Sequence, residues 1–521
     1  VCSSDLISLG APTTLTASSV TLGGAVSGDH DLMITAVTHL NAPTVNTMAH
    51  AQRYNGAVVL GHDAVLTGTN VSFDDTLDGA YSLVVHGSGT TTLAGAVGGS
   101  QALMHVQTES TGSTVIKGGL IRTQGPSSIW FMNDVVVTSD TSDTTTFDTT
   151  GNANAPVAGA NITFDKTING SAVNTESVVL NAGSRGVVRV NGAVGGLVSL
   201  KTLTLAQSKG ATFSGAVTTG TSVVLDNTEA GQTITFEGNL STSVLTTGPH
   251  GYNLVMTGAI NTVSNTTTAT TFNHTGSLQL GDSADDSFTL VAGWVATAPS
   301  RVRLAGEFTS TKAHAAVDLG STLHPVELLQ TTRINTHDGD VNVLGAVKNA
   351  TATAVDVTVQ TGTGAVTFNA AVGEAANGST AAKPLGDVTI NSEGVTTLVS
   401  TVDAASLQTD VAGSGIQTTA AGNRVVIQGG RISTSGVQHY AEAVQLDNAS
   451  HTTVLNTQNS ALIFDAAVTN AGQVAQDLTI QTGTGAVTFN AALGEAANGS
   501  TAAKPLGDVT INSEGVTTLV S

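Results

Sequence analysis

The chain is short of most of what an ordinary globular enzyme is built from. Its 521 residues include one cysteine, two tryptophans and nine prolines; aromatics make up 3% and charged residues 11%, where a typical soluble domain is about 25% charged. A single cysteine excludes a disulfide framework and a thiolate metal site. So few prolines exclude a proline-rich spacer or a mucin-like stalk. No apolar run reaches the roughly 18 residues of a membrane-crossing helix. Basic residues are scarce as well: 17 Lys and Arg face 38 Asp and Glu, for a net charge of −21. That balance repels nucleic-acid phosphate and anionic lipid, so neither is expected as a partner. Solubility and self-repulsion outside the cell are the plain reading of the charge, and divalent-cation binding is the rival.

What is present is a strand-forming vocabulary. Hydrophobic residues are 40% of the chain and glycine contributes 59 positions. The apolar residues are mainly Val, Leu, Ala and Ile, interleaved with Thr, Asn and Ser, and β-branched side chains fit a pleated surface. Val357-Thr-Val359-Gln-Thr, Val366-Thr-Phe368 and Val388-Thr-Ile390-Asn-Ser alternate with period two, placing aliphatics on one face and polar groups on the other. The opening hexapeptide, Val1-Cys2-Ser3-Ser4-Asp5-Leu6, matches a translated sequencing-adapter end. Residues 1–6 are therefore read as an artefact, which leaves the native segment without cysteine and the chain as a fragment.

Repeats carry the strongest signal. Asp356–Ser400 and Asp477–Ser521 are the same sequence except at Val357/Leu478, Val359/Ile480 and Val372/Leu493, all aliphatic swaps of the kind a core position tolerates. The offset is 121 residues, giving one long repeat at 356–476 and a partial second copy at 477–521. A shorter pattern runs throughout: an apolar residue, any residue, Gly or Ala, Ala, then an aliphatic. Leu22–Val26, Tyr54–Val58, Leu93–Val97, Val190–Val194, Phe213–Val217, Met256–Ile260, Val343–Val347, Phe368–Val372, Phe464–Val468 and Phe489–Leu493 all fit it. Close neighbours lie 23 or 25 residues apart, within the range of solenoid repeats. Each instance reads as a strand, a tight corner and an inward aliphatic.

One such unit cannot bury its apolar face alone, whereas stacked units bury it and pair their backbone groups. The expected fold is all-β: a right-handed parallel β-helix, or β-solenoid, running continuously over 7–521 with roughly 20–25 rungs of about 20–25 residues. A β-propeller or a string of β-sandwiches fits the uneven spacings less well. The stretches 373–386 and 494–507 read as loops extruded from a corner.

The run Gln438-His-Tyr440-x-x-Ala-Val444-x-Leu446, then Thr453-Val-Leu455, Ala461–Val468 and Leu478–Phe489, recurs degenerately as Gln52-Arg-Tyr54-Asn-Gly-Ala-Val58-Val-Leu60, Ala64–Leu66, Val71–Phe73 and Leu83–Val85. It resembles the repeat regions of very large bacterial exoproteins, the filamentous-haemagglutinin-like and autotransporter-like adhesins. The resemblance covers residues 7–521 as a style of repeat and rests on no single motif. It implies export, display outside the cell or on its outer surface, and a structural, adhesive role in attachment, aggregation or biofilm. The implied partners are surface glycans or proteins of a host or neighbouring cell, or the biofilm matrix.

β-Helices also carry polysaccharide lyases and hydrolases, and a passive stalk or matrix element is a third possibility. Glycoside cleavage needs two carboxylates about 5–10 Å apart. Asp74-Asp75 and Asp285-Asp286 are sequence neighbours, which point to opposite faces of a strand. Gly61-His62-Asp63 is an isolated fragment, and Trp130 and Trp294 are too far apart in sequence for a sugar platform. Asp29-His30-Asp31, Asp282-Ser-Ala-Asp285-Asp286 and Asp338-Gly-Asp340 offer oxygen atoms that suit calcium, yet Asp is common in solvated turns. The thirteen His are scattered and read as ordinary surface residues. No catalytic, cofactor-binding or metal residue is expected, nor a cofactor beyond calcium at an acidic turn; the chain reads as a non-enzyme.

Overall fold

Alternation of small apolar and polar residues produces short strands with one buried face. Ala64–Gly68 and Ser113–Ile116 are typical, with every second side chain buried and those between half-exposed. A computed structural model describes the chain except residues 1–5, 125–128, 139, 141, 152–157, 376–381, 411–421, 473, 495–503 and 521. Among the described residues there is no helix, and every pairing between named strands is parallel. Parallel pairing sets the fold apart from β-sandwiches, whose sheets are antiparallel. The chain divides into two compact units, residues 1–258 and 259–521.

In the first unit each described strand pairs with its counterpart one circuit on, the third strand along or, where a single bridge such as Val97 or Val194 stands in for a strand, the second, so the chain visits three ladders in turn. One ladder begins Ile7–Leu9, Val26–Gly28, Thr44–Asn46. The next begins Thr13–Leu15, Leu32–Ile34, Gln52–Tyr54. The third begins Ser19–Leu22, Val37–Leu40, Val58–Leu60. One circuit through the three ladders takes 19 residues between Val26 and Val45 and 33 between Phe131 and Phe164. Bulges inside strands take up part of the difference elsewhere, as between Leu304 and Gly306, which lie opposite Leu328 and Thr332.

The second unit obeys the same rule. Its ladder X passes through Val326, Val347, Val372, Val402, Ile432, Leu455, Ile480 and Ile511. Ladder Y passes through Ile334, Val359, Ile390, Thr409, Tyr440, Phe464, Phe489 and Leu519. Ladder Z passes through Val341, Val366, Thr396, Val425, Val444, Val468 and Leu493.

The short sequence pattern is the corner between two ladders. Val190 lies opposite Phe213, and Val194 opposite Val217, so two copies stack in register end to end. Their central glycines are required by close approach. A Cβ on Gly215 would run into the carbonyl carbon of Gly192, and one on Gly238 into that of Gly215. Successive corners sit in backbone contact, leaving room for nothing larger.

Buried aromatics stack as columns. Tyr440, Phe464 and Phe489 follow one another at ring-centroid separations of 5.3 and 5.0 Å, tilted by only 10° and 8°. Phe213 and Phe236 lie 4.9 Å apart in the first unit. Each such pair contributes about 0.5–1.5 kcal/mol beyond its buried area.

Both units carry the same buried polar clamp under an aromatic column. Gln438 Nε2 donates to the Asn456 carbonyl at 2.8 Å and the Ile432 carbonyl at 3.4 Å, while its Oε1 accepts from the Tyr440 hydroxyl at 3.2 Å. Gln52 Nε2 donates to the Thr67 and Val45 carbonyls at 2.8 and 3.0 Å and its Oε1 accepts from Tyr54 at 3.2 Å. The Gln-x-Tyr spacing shared by Gln52-Arg-Tyr54 and Gln438-His-Tyr440 thus corresponds to one conserved arrangement of contacts. The residue between them points outward in both cases. Arg53 pairs with Asp74 at 2.7 Å and His439 with Asp465 at 2.7 Å, each acid following the Phe of the next circuit.

Candidate interaction surface

A set of acidic side chains is occupied with the backbone. At the ladder ends, exposed Asp and Asn accept N–H groups from the following circuit. Asp31 accepts from Ala51 at 2.9 Å, Asp63 from Ser82 at 2.8 Å and Asn70 from Thr90 at 2.8 Å. Asp356 accepts from Asp387, and Asp477 from Asp508, each at 2.8 Å. A carboxylate receiving an amide makes a charge-assisted bond, so these acids are more than solvated turn residues.

The same use accounts for two of the calcium candidates. Asp338 Oδ1 accepts the Thr363 N–H at 2.9 Å and Asp340 Oδ1 the Ala365 N–H at 2.8 Å. The Thr363 amide, ahead of the nearby His337 and His314, holds the Asp338 carboxyl below its ordinary range. Asp286 is buried, and its Oδ2 accepts the N–H groups of Asp282 and Ser283 at 2.9 and 3.0 Å, which closes that turn on itself. Asp29 and Asp31 both lie 3.5 Å from the ring nitrogens of His50. Among the described residues, no group of three or more His, Cys, Asp or Glu is arranged to hold a metal ion.

The neighbouring acids part company. Asp74 takes Arg53 and the Ser72 hydroxyl, whereas Asp75 caps the Thr76 amide. His62 Nδ1 lies 2.7 Å from the Asp63 carbonyl. Trp130 Nε1 donates to Asp165 at 2.8 Å, and Trp294 is wholly buried 5.4 Å from the Phe308 ring. The reading of every His as a surface residue is corrected at His274, which is buried; burial, partly offset by a hydrogen bond to the Ser277 backbone, lowers its pKa to about 4.

Several buried carboxyls escape notice in the sequence, Glu442 and Asp410 among them. Glu442, in the corner between Tyr440 and Val444, is 1% exposed, and its Oε2 accepts the Thr409 hydroxyl at 2.9 Å. Burial first, and the charge of Asp410 second, push its pKa up to about 8. Asp410 is 2% exposed and bound by the Ser392 N–H and the Asn423 amide, each at 2.7 Å; burial outweighs both bonds and raises its pKa. A polar letter in a corner reads as solvent-facing, and only the Ala residues flanking Glu442 hint otherwise.

The outer surface carries two related grooves in the second unit. One, of about 500 Å³, is lined by Asn335, His337, Asp338, Gln360, Gly362 and Glu393 among others. The other, of about 450 Å³, is lined by Gln481, Gly483, Asn512, Ser513 and Glu514. Gln360, Gly362 and Glu393 are the counterparts of Gln481, Gly483 and Glu514 in the 121-residue repeat. Gly362 and Gly483 adopt φ of 61° and 53°, and the Glu393 and Glu514 N–H groups each donate to the carbonyl of that glycine at 2.6 Å.

The expected loops fall partly outside the described residues, which stop at 375 and resume at 382 in the first and break between 494 and 504 in the second. The neck of the first is closed by paired Glu374 and Lys383 backbones at 3.1 and 2.7 Å. Gly373 and Gly494 begin the loops with φ of 77° and 76°. No family model, curated protein or solved structure matches the chain.

Proposed function

We propose that each unit is a right-handed parallel β-solenoid and that the chain is a structural, adhesive element of a bacterial surface-exposed or secreted protein. Its partners would be surface glycans or proteins of a host or neighbouring cell, or the biofilm matrix. The observation that supports this reading is the three-ladder register, which presents outward columns of Thr, Asn and Gln such as Thr358–Thr389 and Gln481–Asn512. Many weak contacts along such columns give avidity without a pocket. Export is part of the same proposal, through the resemblance to bacterial exoproteins.

Purified chain, fluorescently labelled, should bind bacterial or epithelial cell layers and compete with cell–cell aggregation. Absence of both effects would refute the adhesive role. Release of unsaturated or reducing sugar ends from acidic polysaccharides would favour a lyase or hydrolase instead. Aligned, dried chain should give a strong reflection near 4.8 Å from ladder spacing; its absence would count against the solenoid.

A further inference from the structure

The 121-residue repeat does not match a whole number of circuits. From Val357 to its counterpart Leu478 the chain visits, in order, the strands or bridges at Val366, Val372, Val388, Val395, Val402, Leu407, Arg424, Ile432, Gln438, Val444, Val454, Leu462 and Val468 before reaching Leu478. That is fourteen steps through three ladders, or four and two-thirds circuits. Val357 accordingly lies in ladder Y and Leu478 in ladder X. The same displacement holds at Val372 in ladder X and Leu493 in ladder Z.

The equivalence is physical as well as textual. Asn349 Nδ2 donates to the Pro384 carbonyl at 2.7 Å, and its counterpart Asn470 to Pro505 at 3.2 Å. Thr363 N–H reaches Asp338 Oδ1 at 2.9 Å and Thr484 N–H reaches Asn459 Oδ1 at 3.1 Å. These contacts extend the structural repeat upstream into 332–349 and 453–470, where sequence identity is thin.

We infer that the repeat is a device for display on more than one side: each copy carries the Gln360–Glu393 groove, and the neck at Gly373, to a different ladder. Three copies would return them to the first. A partner that a flat surface could supply would need its sites along one ladder, whereas this placement suits an extended, hydroxyl-bearing matrix polymer that surrounds the chain. Each groove would offer it side-chain amides, Ser or Thr hydroxyls and at least one carboxylate. The inference rests on the solenoid and adhesive reading, but its test needs no natural partner, so failure of adhesion and failure of the geometry are separable.

The test asks whether two bulky molecules bind at once. In full chain carrying Cys2→Ser, Thr363→Cys with Thr484→Cys would be biotinylated and titrated with monovalent streptavidin. The two sites are about 22 Å apart along the stack, from four and two-thirds circuits of about 4.8 Å. A protein of about 500 residues has a radius of gyration of roughly 23 Å, so two cannot sit side by side on one ladder at that spacing. The control, Thr363→Cys with Asn490→Cys, places both labels after ladder Y, five circuits apart. Two streptavidins on the first pair and one on the control are expected. One on the first pair, or equal occupancy of both pairs, overturns the inference. Glu393→Cys with Glu514→Cys repeats the measurement one circuit on and must also take two.

Discussion

Single positions carry more of this fold than their small side chains suggest. Gly215 has no space for a methyl group because the Gly192 backbone lies against it; Gly215→Ala should therefore destabilise the chain by about 1–3 kcal/mol, the usual cost of overpacking. Thermal denaturation beside Ser214→Ala, at a position with outward space, would show it. Gln438→Leu should cost a further kind of energy, about 1–3 kcal/mol, because the Asn456 and Ile432 carbonyls lose their donor inside the core. Glu442 works in the opposite sense. Its folded-state pKa of about 8 lies above the ordinary value of 4.5, so the folded state binds the extra proton. Stability from this group is full below the unfolded pKa and is lost as pH rises toward and through 8. Glu442→Gln should remove that loss, and melting curves at pH 6 and pH 9 should diverge less for the variant than for the parent chain. Equal pH dependence of the two would show that Glu442 is not the titrating group.

At the scale of strands and corners, strand pairing reaches only the circuits before and after. Removing the middle ring of the Tyr440–Phe464–Phe489 column by Phe464→Ala should cost about 3–5 kcal/mol, and in a stacked array the damage stays near the lesion. Amide hydrogen exchange should accelerate around 440, 464 and 489 and remain unchanged in residues 7–116. Uniform acceleration throughout would contradict nearest-neighbour coupling. The corners themselves could be read from the sequence, since Phe213-Ser-Gly-Ala-Val217 combines a large apolar residue, an obligatory small one and an aliphatic at fixed spacing. The ladder number could not: with strands as short as Val341–Val343 and Val347–Asn349, alternation runs out before any longer period emerges. Nor could the inward aim of Gln52, Gln438 and Glu442, whose polarity by itself argues for water. The acids at Asp338 and Asp340 were recognisable as a pair but not as amide acceptors, because their donors lie 25 residues away.

Across the whole chain, ionisation limits stability from two directions. Hydrogen bonds from Ser171, Thr175 and the Ala172 amide outweigh the effect of burial and hold the Glu176 carboxyl below its usual range; Asp338 is lowered by its Thr363 amide. What these ionised groups supply is present above the unfolded pKa and is lost as pH falls through the folded values. Glu442 sets the limb on the alkaline side. A plot of melting temperature against pH should therefore fall at both ends, with Glu442→Gln lifting only the alkaline limb. Lifting of the acid limb by the same substitution would disprove this division of roles.

The mismatch between the 121-residue period and the three-ladder circuit also bears on heredity. Near-identical coding segments invite unequal crossing-over, and a copy gained or lost at matching residues leaves every seam chemically unchanged, because each corner meets the neighbour it already fits. Yet the fourteen-strand step means that one such event reassigns all later strands to other ladders. Length and orientation would thus vary together, and a lineage could re-aim its distal surface without altering a single amino acid in it.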